Sequence, residues 1–323
     1  MSAFREAIAK EVKLQMMNPE FDSRRSKNGG RVFWVRLAAS NGFGQFVKEH
    51  PAYDDGVSAV YTDIASALAV CQANRGDEVR VGPGYTETYE TALCLSTAGV
   101  RLVGEGYGTS VPTLTISGAI HGVDIEAAGV EFENFRFASP LIDETLSMLK
   151  IQGAGVVIKD VKGLASASAL NFVNCIRVVA GADDLTLKNV RLTSGENAAP
   201  ASFLSFEGSV ARFTGEDLEF SGSVGTAGII DSSGVVLTNS KFKRCSVVVN
   251  GVTKPAVTLD ANDPDSLTNP FYGSVEDSFF SGTHATLATN AKFSDGWRLK
   301  QVYVLEETGS NAQGALIPAV DSN

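Results

Sequence analysis

Basic residues are scarce: 27 Lys and Arg stand against 37 Asp and Glu in a chain of 323 residues, a formal charge of −10. A nucleic-acid or anionic-membrane partner calls for a basic footprint, so neither is expected. Long apolar runs are missing too. No stretch reaches the length of a membrane span, and in the opening MSAFREAIAKEVKLQMM charges interrupt every apolar segment, unlike the core of a secretory signal. Cytoplasmic synthesis is the expectation. The four cysteines (Cys71, Cys94, Cys175, Cys245) have no CxxC spacing, which suits buried free thiols better than zinc or a disulfide framework. Three histidines (His50, His121, His284) are too scattered for a triad or a metal site.

What is present is a globular composition, 44% hydrophobic and 20% charged, large enough for a substantial core. Inside it lies a repeat. Gly129-Val-Glu-Phe-Glu-Asn134-Phe-Arg-Phe137 and Gly234-Val-Val-Leu-Thr-Asn239-Ser-Lys-Phe242 share a frame. One anchor per copy extends it along the chain: Gly104, Asn134, Asp160, Asn189, Asp217, Asn239, Asp277 and Gln301, at a mean interval of about 28 residues, in the solenoid range. Positions four and two before each anchor are apolar in nearly every copy (Val130 and Phe132, Val156 and Ile158, Leu185 and Leu187). So is the position three after it (Tyr107, Phe137, Leu192, Phe220, Phe242, Phe280).

The chain therefore alternates with period two on both sides of the anchor, but the phase slips by one residue at the anchor itself. In a continuous strand the slip would turn the second half inside out. A bend at the anchor keeps both halves facing one core, and Gly, Asn and Asp tolerate the left-handed backbone a sharp corner needs. Two short strands joined at a tight corner describe the coils of a parallel solenoid, about eight of them. At about 4.8 Å per coil they make a rod on the order of 40 Å long.

With this corner motif, and with the lead-in from Asp63 to Glu87 (a helix through Ile64, Ala67, Leu68 and Cys71, Gly76-Asp77, a strand at Val79 to Val81, then Gly82-Pro83-Gly84), the sequence resembles the right-handed parallel β-helix class. That pectate-lyase-like superfamily includes phage tailspikes, and the resemblance covers roughly residues 60–305. It implies an all-β fold whose first coil is capped by the lead-in helix. The expected organisation is an arm and linker at 1–30, a leading strand and capping helix at 31–75, the β-helix at 76–305 and a tail at 306–323.

Function is less legible, because this fold serves enzymes, adhesins and struts alike. The hydrolase set of the superfamily (Asn-Thr-Asp, Asp-Asp, Gly-His-Gly, Arg-Ile-Lys) is missing; Asp183-Asp184 is the candidate for its Asp-Asp element, within a turn sequence. Asp260, Asn262, Asp263 and Asp265 begin like a calcium loop, but Asp265 stands where Gly is required and Phe271 where Glu is required, so a turn competes with a metal site. No catalytic residues and no cofactor are expected. In the arm, Phe4, Ile8 and Val12 make an apolar helical stripe ahead of the basic Arg24 and Arg25, which suits docking on a partner. The resulting expectation is a non-enzymatic bacteriophage virion protein, either head decoration or a short tailspike-like appendage. It would be a homotrimer, held to a capsid or tail protein by its arm, with host surface polysaccharide as a further candidate partner. The alternatives are a tailspike depolymerase (hydrolase or lyase) and a glycan-binding adhesin.

Overall fold

Short alternating segments cannot satisfy their own backbone groups, so each must find a neighbour. Here the neighbour is the equivalent segment one turn on. The computed structural model describes residues 29–138, 145–163, 172–195, 200–250, 253–259, 273–283, 291–293, 296–306 and 313–317. Its strands form three long sheets of 11, 10 and 8 strands. Within them every pairing is parallel except the last of the second sheet, where Gln313–Ile317 runs antiparallel to Val302–Glu306 and covers that edge. The chain is a parallel β-solenoid. It has about nine turns, consistent with the right-handed parallel β-helix.

Each turn visits the sheets in order, as in Arg101–Gly104, Thr113–Ile116 and His121–Ile125. The third strand of each turn went unread in the sequence, because its apolar positions follow no anchor of their own. Inside runs one continuous core. Phe132, Phe135, Phe137, Phe203, Phe206, Phe213, Phe220 and Phe242 are all buried in it, and they stack from turn to turn, with Phe213 and Phe242 ring centroids 5.1 Å apart.

The start of the rod is closed as the lead-in implied. Helix Ile64–Ala69 buries Ile64, Ala67 and Leu68 against Val32–Val35, Glu78–Val81 and Leu93–Leu95. Asp63 caps it by accepting the Ser66 N–H at 2.7 Å. The buried Asp77 carboxylate clasps the entrance: it accepts the N–H groups of Arg31 and Gln72 and a bidentate Arg75 at 2.6 Å. A second helix, Phe43–Glu49, lays Phe46 and His50 against Trp34 on the outside of the first sheet. No helix among the described residues is long and apolar enough to cross a membrane.

The corner reading holds in physics and needs correction in register. Asn134, Asp160, Asn189, Asp217, Arg244, Asp277 and Gln301 all have φ between 50° and 62° and occupy equivalent positions. The N–H of each of the first six donates to the carbonyl just before the next corner, at 3.0–3.1 Å. Arg244, not Asn239, is thus the ladder member between Asp217 and Asp277. Asn239 belongs to a second corner ladder, with Asn74, Gly99, Gly129, Gly155, Asp184 and Arg212, all at positive φ; from Gly99 to Asn239 it lies five residues before the first. Gly104 is in register with Asn134, but its backbone is not left-handed. That turn bends instead through Gly106 and a short helical turn, Gly108–Ser110. Tyr107, assigned to a core column, is consequently 92% exposed.

Candidate functional site

The corner ladder has an outer surface as well as an inner one. Along it runs an open groove built of two stretches of about 650 and 640 Å³ that share Asp160 and Asn189. It follows the solenoid axis from Gly104 and Tyr107 to Arg244 and Ser246. Five turn-to-turn steps at about 4.8 Å each give it a length of roughly 24 Å. One wall is the edge of the first sheet, with Glu133, Lys159 and Lys188; the other is the edge of the second, with Lys162, Arg191 and Glu219.

The groove changes character along its length. Towards its far end charges are paired: Arg244 forks onto Asp217 at 2.7 and 2.9 Å and reaches Glu216 at 2.5 Å, and Lys188 meets Glu216 at 2.9 Å. The Arg244 guanidinium holds the Asp217 carboxyl below its usual range, and Lys188 with Arg244 does the same for Glu216. At the near end Asn134 donates its side-chain N–H to the carbonyls of Gly104 and Gly106, at 2.7 and 3.2 Å. The Asn189 amide donates to Asp160. Glu105 lies half-buried there; burial pushes its carboxyl up, opposed by Arg80 and Arg36.

A second polar cluster covers the third sheet. His121, Ser147, Asn174 and Ser202 stand in register on successive turns. His121 Nδ1 is 2.8 Å from Ser147 Oγ, and Ser202 donates to Asn174 at 2.8 Å. Beside them Lys150 meets Asp124 at 2.8 Å and Arg177 forks onto Glu207. Burial first, then Arg177 and Lys150, lowers the His121 pKa. Ser147 and Ser202 are fully buried, so this cluster ties turns together rather than opening to a ligand.

The residues singled out in the sequence fall as follows. Six of the eight corner anchors (Asn134, Asp160, Asn189, Asp217, Asp277, Gln301) share one ladder, and Asn239 lies on the other. The metal candidates Asp260, Asn262, Asp263 and Asp265, and the docking residues Phe4, Ile8, Val12, Arg24 and Arg25, lie outside the described residues. Among the described residues no group of three or more His, Cys, Asp or Glu is placed to hold a metal ion. Asp184 of the Asp-Asp pair is a corner residue forked by Arg212, and Asp183 accepts the Ala211 N–H at 2.8 Å. Glu131 and Glu133 flank the buried Phe132, and both bind the Arg101 guanidinium. Cys175 and Cys245 are buried free thiols, but Cys94 is exposed. Sequence reasoning missed Glu105 and Tyr107 as groove residues: Tyr107 was read as a core position, and Glu105 belongs to no motif that marks it.

No protein-family model and no curated protein matches this chain. Among solved structures it is similar to the pectin methylesterase from Aspergillus niger in deglycosylated form, at 16% identity and a TM-score of 0.34, covering 90% of this chain and 89% of that one. A second form of that enzyme, with an N-acetylglucosamine stub, gives 16% and 0.36 over 93% and 94%. The likeness is one of fold and says nothing of chemistry.

Proposed function

We propose that the protein is a non-enzymatic structural rod of a bacteriophage particle that lays an extended polysaccharide along its corner groove. The observation that carries the polysaccharide part is the groove itself. It is open, runs parallel to the axis over several turns, alternates hydrogen-bonding and charged groups, and has the exposed Tyr107 ring at one end. An aromatic face beside convergent polar groups suits a sugar, which is apolar on one ring face and hydroxylated at its rim. The rod's setting on a virion, as a trimer held by residues 1–30, rests on the resemblance of the sequence to phage β-helix proteins.

Two measurements test this reading. Purified full-length protein mixed with surface polysaccharides should form a complex that Tyr107→Ala weakens, with no release of reducing ends or unsaturated uronides. Failure to bind any of a broad polysaccharide panel would refute it. For the setting, labelled protein should be found at symmetric positions on particles, and deletion of residues 1–30 should abolish its incorporation.

One observation favours the enzymatic alternative. Glu105, at the Tyr107 end of the groove, is a desolvated carboxyl with a raised pKa, the property a general acid for glycoside cleavage requires. Turnover that is lost in Glu105→Gln would decide for that reading.

A further inference from the structure

A strand at the end of a parallel sheet leaves the N–H and C=O of every second residue without a ladder partner, and native proteins cover such edges. Leu93–Leu95 is the terminal strand of the third sheet at the capped end of the rod. The Leu95 carbonyl accepts the N–H groups of Glu126 and Ala127 on the next turn at 3.2 and 3.1 Å. Leu93 and Leu95 thus bond into the rod, and Cys94 turns its backbone groups to the open side. Across a gap of about 610 Å³ from that edge stand Ala65, Leu68 and Ala69 of the capping helix. The gap is therefore apolar on its helix side. Its lining includes the Glu87 carboxylate and no Lys or Arg among the described residues. On the outer face Cys94 is in register with Asp124. Asp124 Oδ2 meets Lys150 at 2.8 Å, while Oδ1 is buried with no donor among the described residues. Such an edge suits a strand with apolar residues in phase with Leu93 and Leu95 and a cation in phase with Cys94.

The chain carries that pattern within reach. Residues 1–28 lie outside the described residues and join the rod at Gly29-Gly30. Gly30 packs against the Gly76 backbone, and Asn74 close by donates its N–H to the Ala98 carbonyl at 2.8 Å, next to the Ser96 and Thr97 end of the gap. Within residues 1–28, Val12-Lys13-Leu14-Gln15-Met16 alternates apolar and polar with period two. The segment 17–28 that links it to the rod can extend to about 40 Å, more than the gap requires. We infer that residues 12–16 add as a strand to the edge of Leu93–Leu95, with Val12, Leu14 and Met16 against the capping helix and Lys13 beside Cys94, reaching toward Asp124. The inference goes beyond the function proposed above and does not depend on the polysaccharide. It fastens the root of the arm to the rod and sends Phe4 and Ile8 outward from the capped end toward a partner.

The test uses the full chain with single substitutions in the arm and reads Cys94, the exposed thiol on that edge. With labelled sites mapped by mass spectrometry, alkylation of Cys94 should run at least ten-fold faster in Leu14→Asp than in the parent. Under mild oxidation Lys13→Cys should form an intramolecular disulfide with Cys94. Leu14→Cys, on the opposite face of the strand, should form it at least ten-fold less, because side chains alternate between faces. A helix or a loose tether would not show that alternation. Equal cross-linking at the two positions, or none at either, would overturn the strand. Disulfides between two chains in place of the intramolecular one would overturn the choice of occupant and give the edge to a second copy. Cys94 alkylation unchanged by Leu14→Asp would overturn the docking itself.

Discussion

Replacing Gly104 by alanine isolates what holds successive turns at their spacing. Gly104 is not in the left-handed region, so alanine meets no conformational objection there. What it meets is the next turn: a Cβ would stand 2.1 Å from the Asn134 carbonyl oxygen and 3.1 Å from the Asn134 carbonyl carbon and Pro112 Cδ. Two of those contacts are backbone, so the strands themselves must part by about 1 Å, an overpacking cost of roughly 1–3 kcal/mol. The same movement strains the 2.7 Å bond from the Asn134 side chain to the Gly104 carbonyl, worth about 1 kcal/mol. Against this, alanine lowers the entropy of the unfolded chain by about 0.4–1 kcal/mol. The net loss is about 1–3.5 kcal/mol, centred above 2. Gly84→Ala is the control, since Gly84 has φ +70° and nothing within 4 Å; it incurs only the left-handed penalty of about 1–2 kcal/mol, which the same entropy term reduces to about 1 kcal/mol or less. Urea unfolding followed by circular dichroism should show a lower midpoint at unchanged slope for both, with Gly104→Ala clearly the worse. If Gly104→Ala costs no more than Gly84→Ala, turn spacing is not set by backbone contact and the reasoning fails.

Three further outcomes are expected. Phe242→Ala, which empties a fully buried site between Phe213 and Trp297, should cost about 3–5 kcal/mol in the same unfolding assay. The pH dependence of the melting temperature should carry two opposite contributions. The Glu105 carboxyl is raised above its reference of 4.5, so the native state binds more protons just above pH 4.5 and stability falls as pH rises through that window; Glu105→Gln should remove this contribution and stabilise the protein at neutral pH. His121 is lowered below its reference of 6.5, so the unfolded chain binds more protons and stability falls as pH drops below about 6.5; His121→Gln should flatten that limb. Finally, Arg244→Asn should hold the unfolding midpoint closer to the parent than Arg244→Val does, because Asn tolerates φ +52° and a β-branched side chain does not.

The corner mechanism was legible in the sequence because it is a conflict between two local rules, period-two alternation and a one-residue phase slip, that only a bend resolves. The slip in register at Asn239 has an equally physical origin. From Gly129 to Arg244 each turn carries two left-handed corners five residues apart, Gly129 and Asn134, Gly155 and Asp160, Asp184 and Asn189, Arg212 and Asp217, Asn239 and Arg244, while in the turn of Gly99 the second bend follows Gly104. Residues around both corners bury alternately, so Val235, Leu237 and Phe242 fit the frame set from Asn239 as well as a true copy would. Gly234, itself at φ +80°, completed the resemblance to Gly129. The corner at Arg244 was invisible for a different reason: arginine is no turn former, and it tolerates the left-handed backbone there while its guanidinium is held by the carboxylates of Asp217 and Glu216 on the preceding turn. Arg212 does the same over Asp184 at the other corner. An Asp corner followed one turn later by an Arg corner is therefore a readable signal in its own right, and it had to be read across 27 or 28 residues rather than within one motif. The groove was hidden by the same geography. Lys162 and Arg191 stand two residues past their corners, next to the core residues Val161, Val190 and Leu192, and only their stacking on successive turns brings them into one groove.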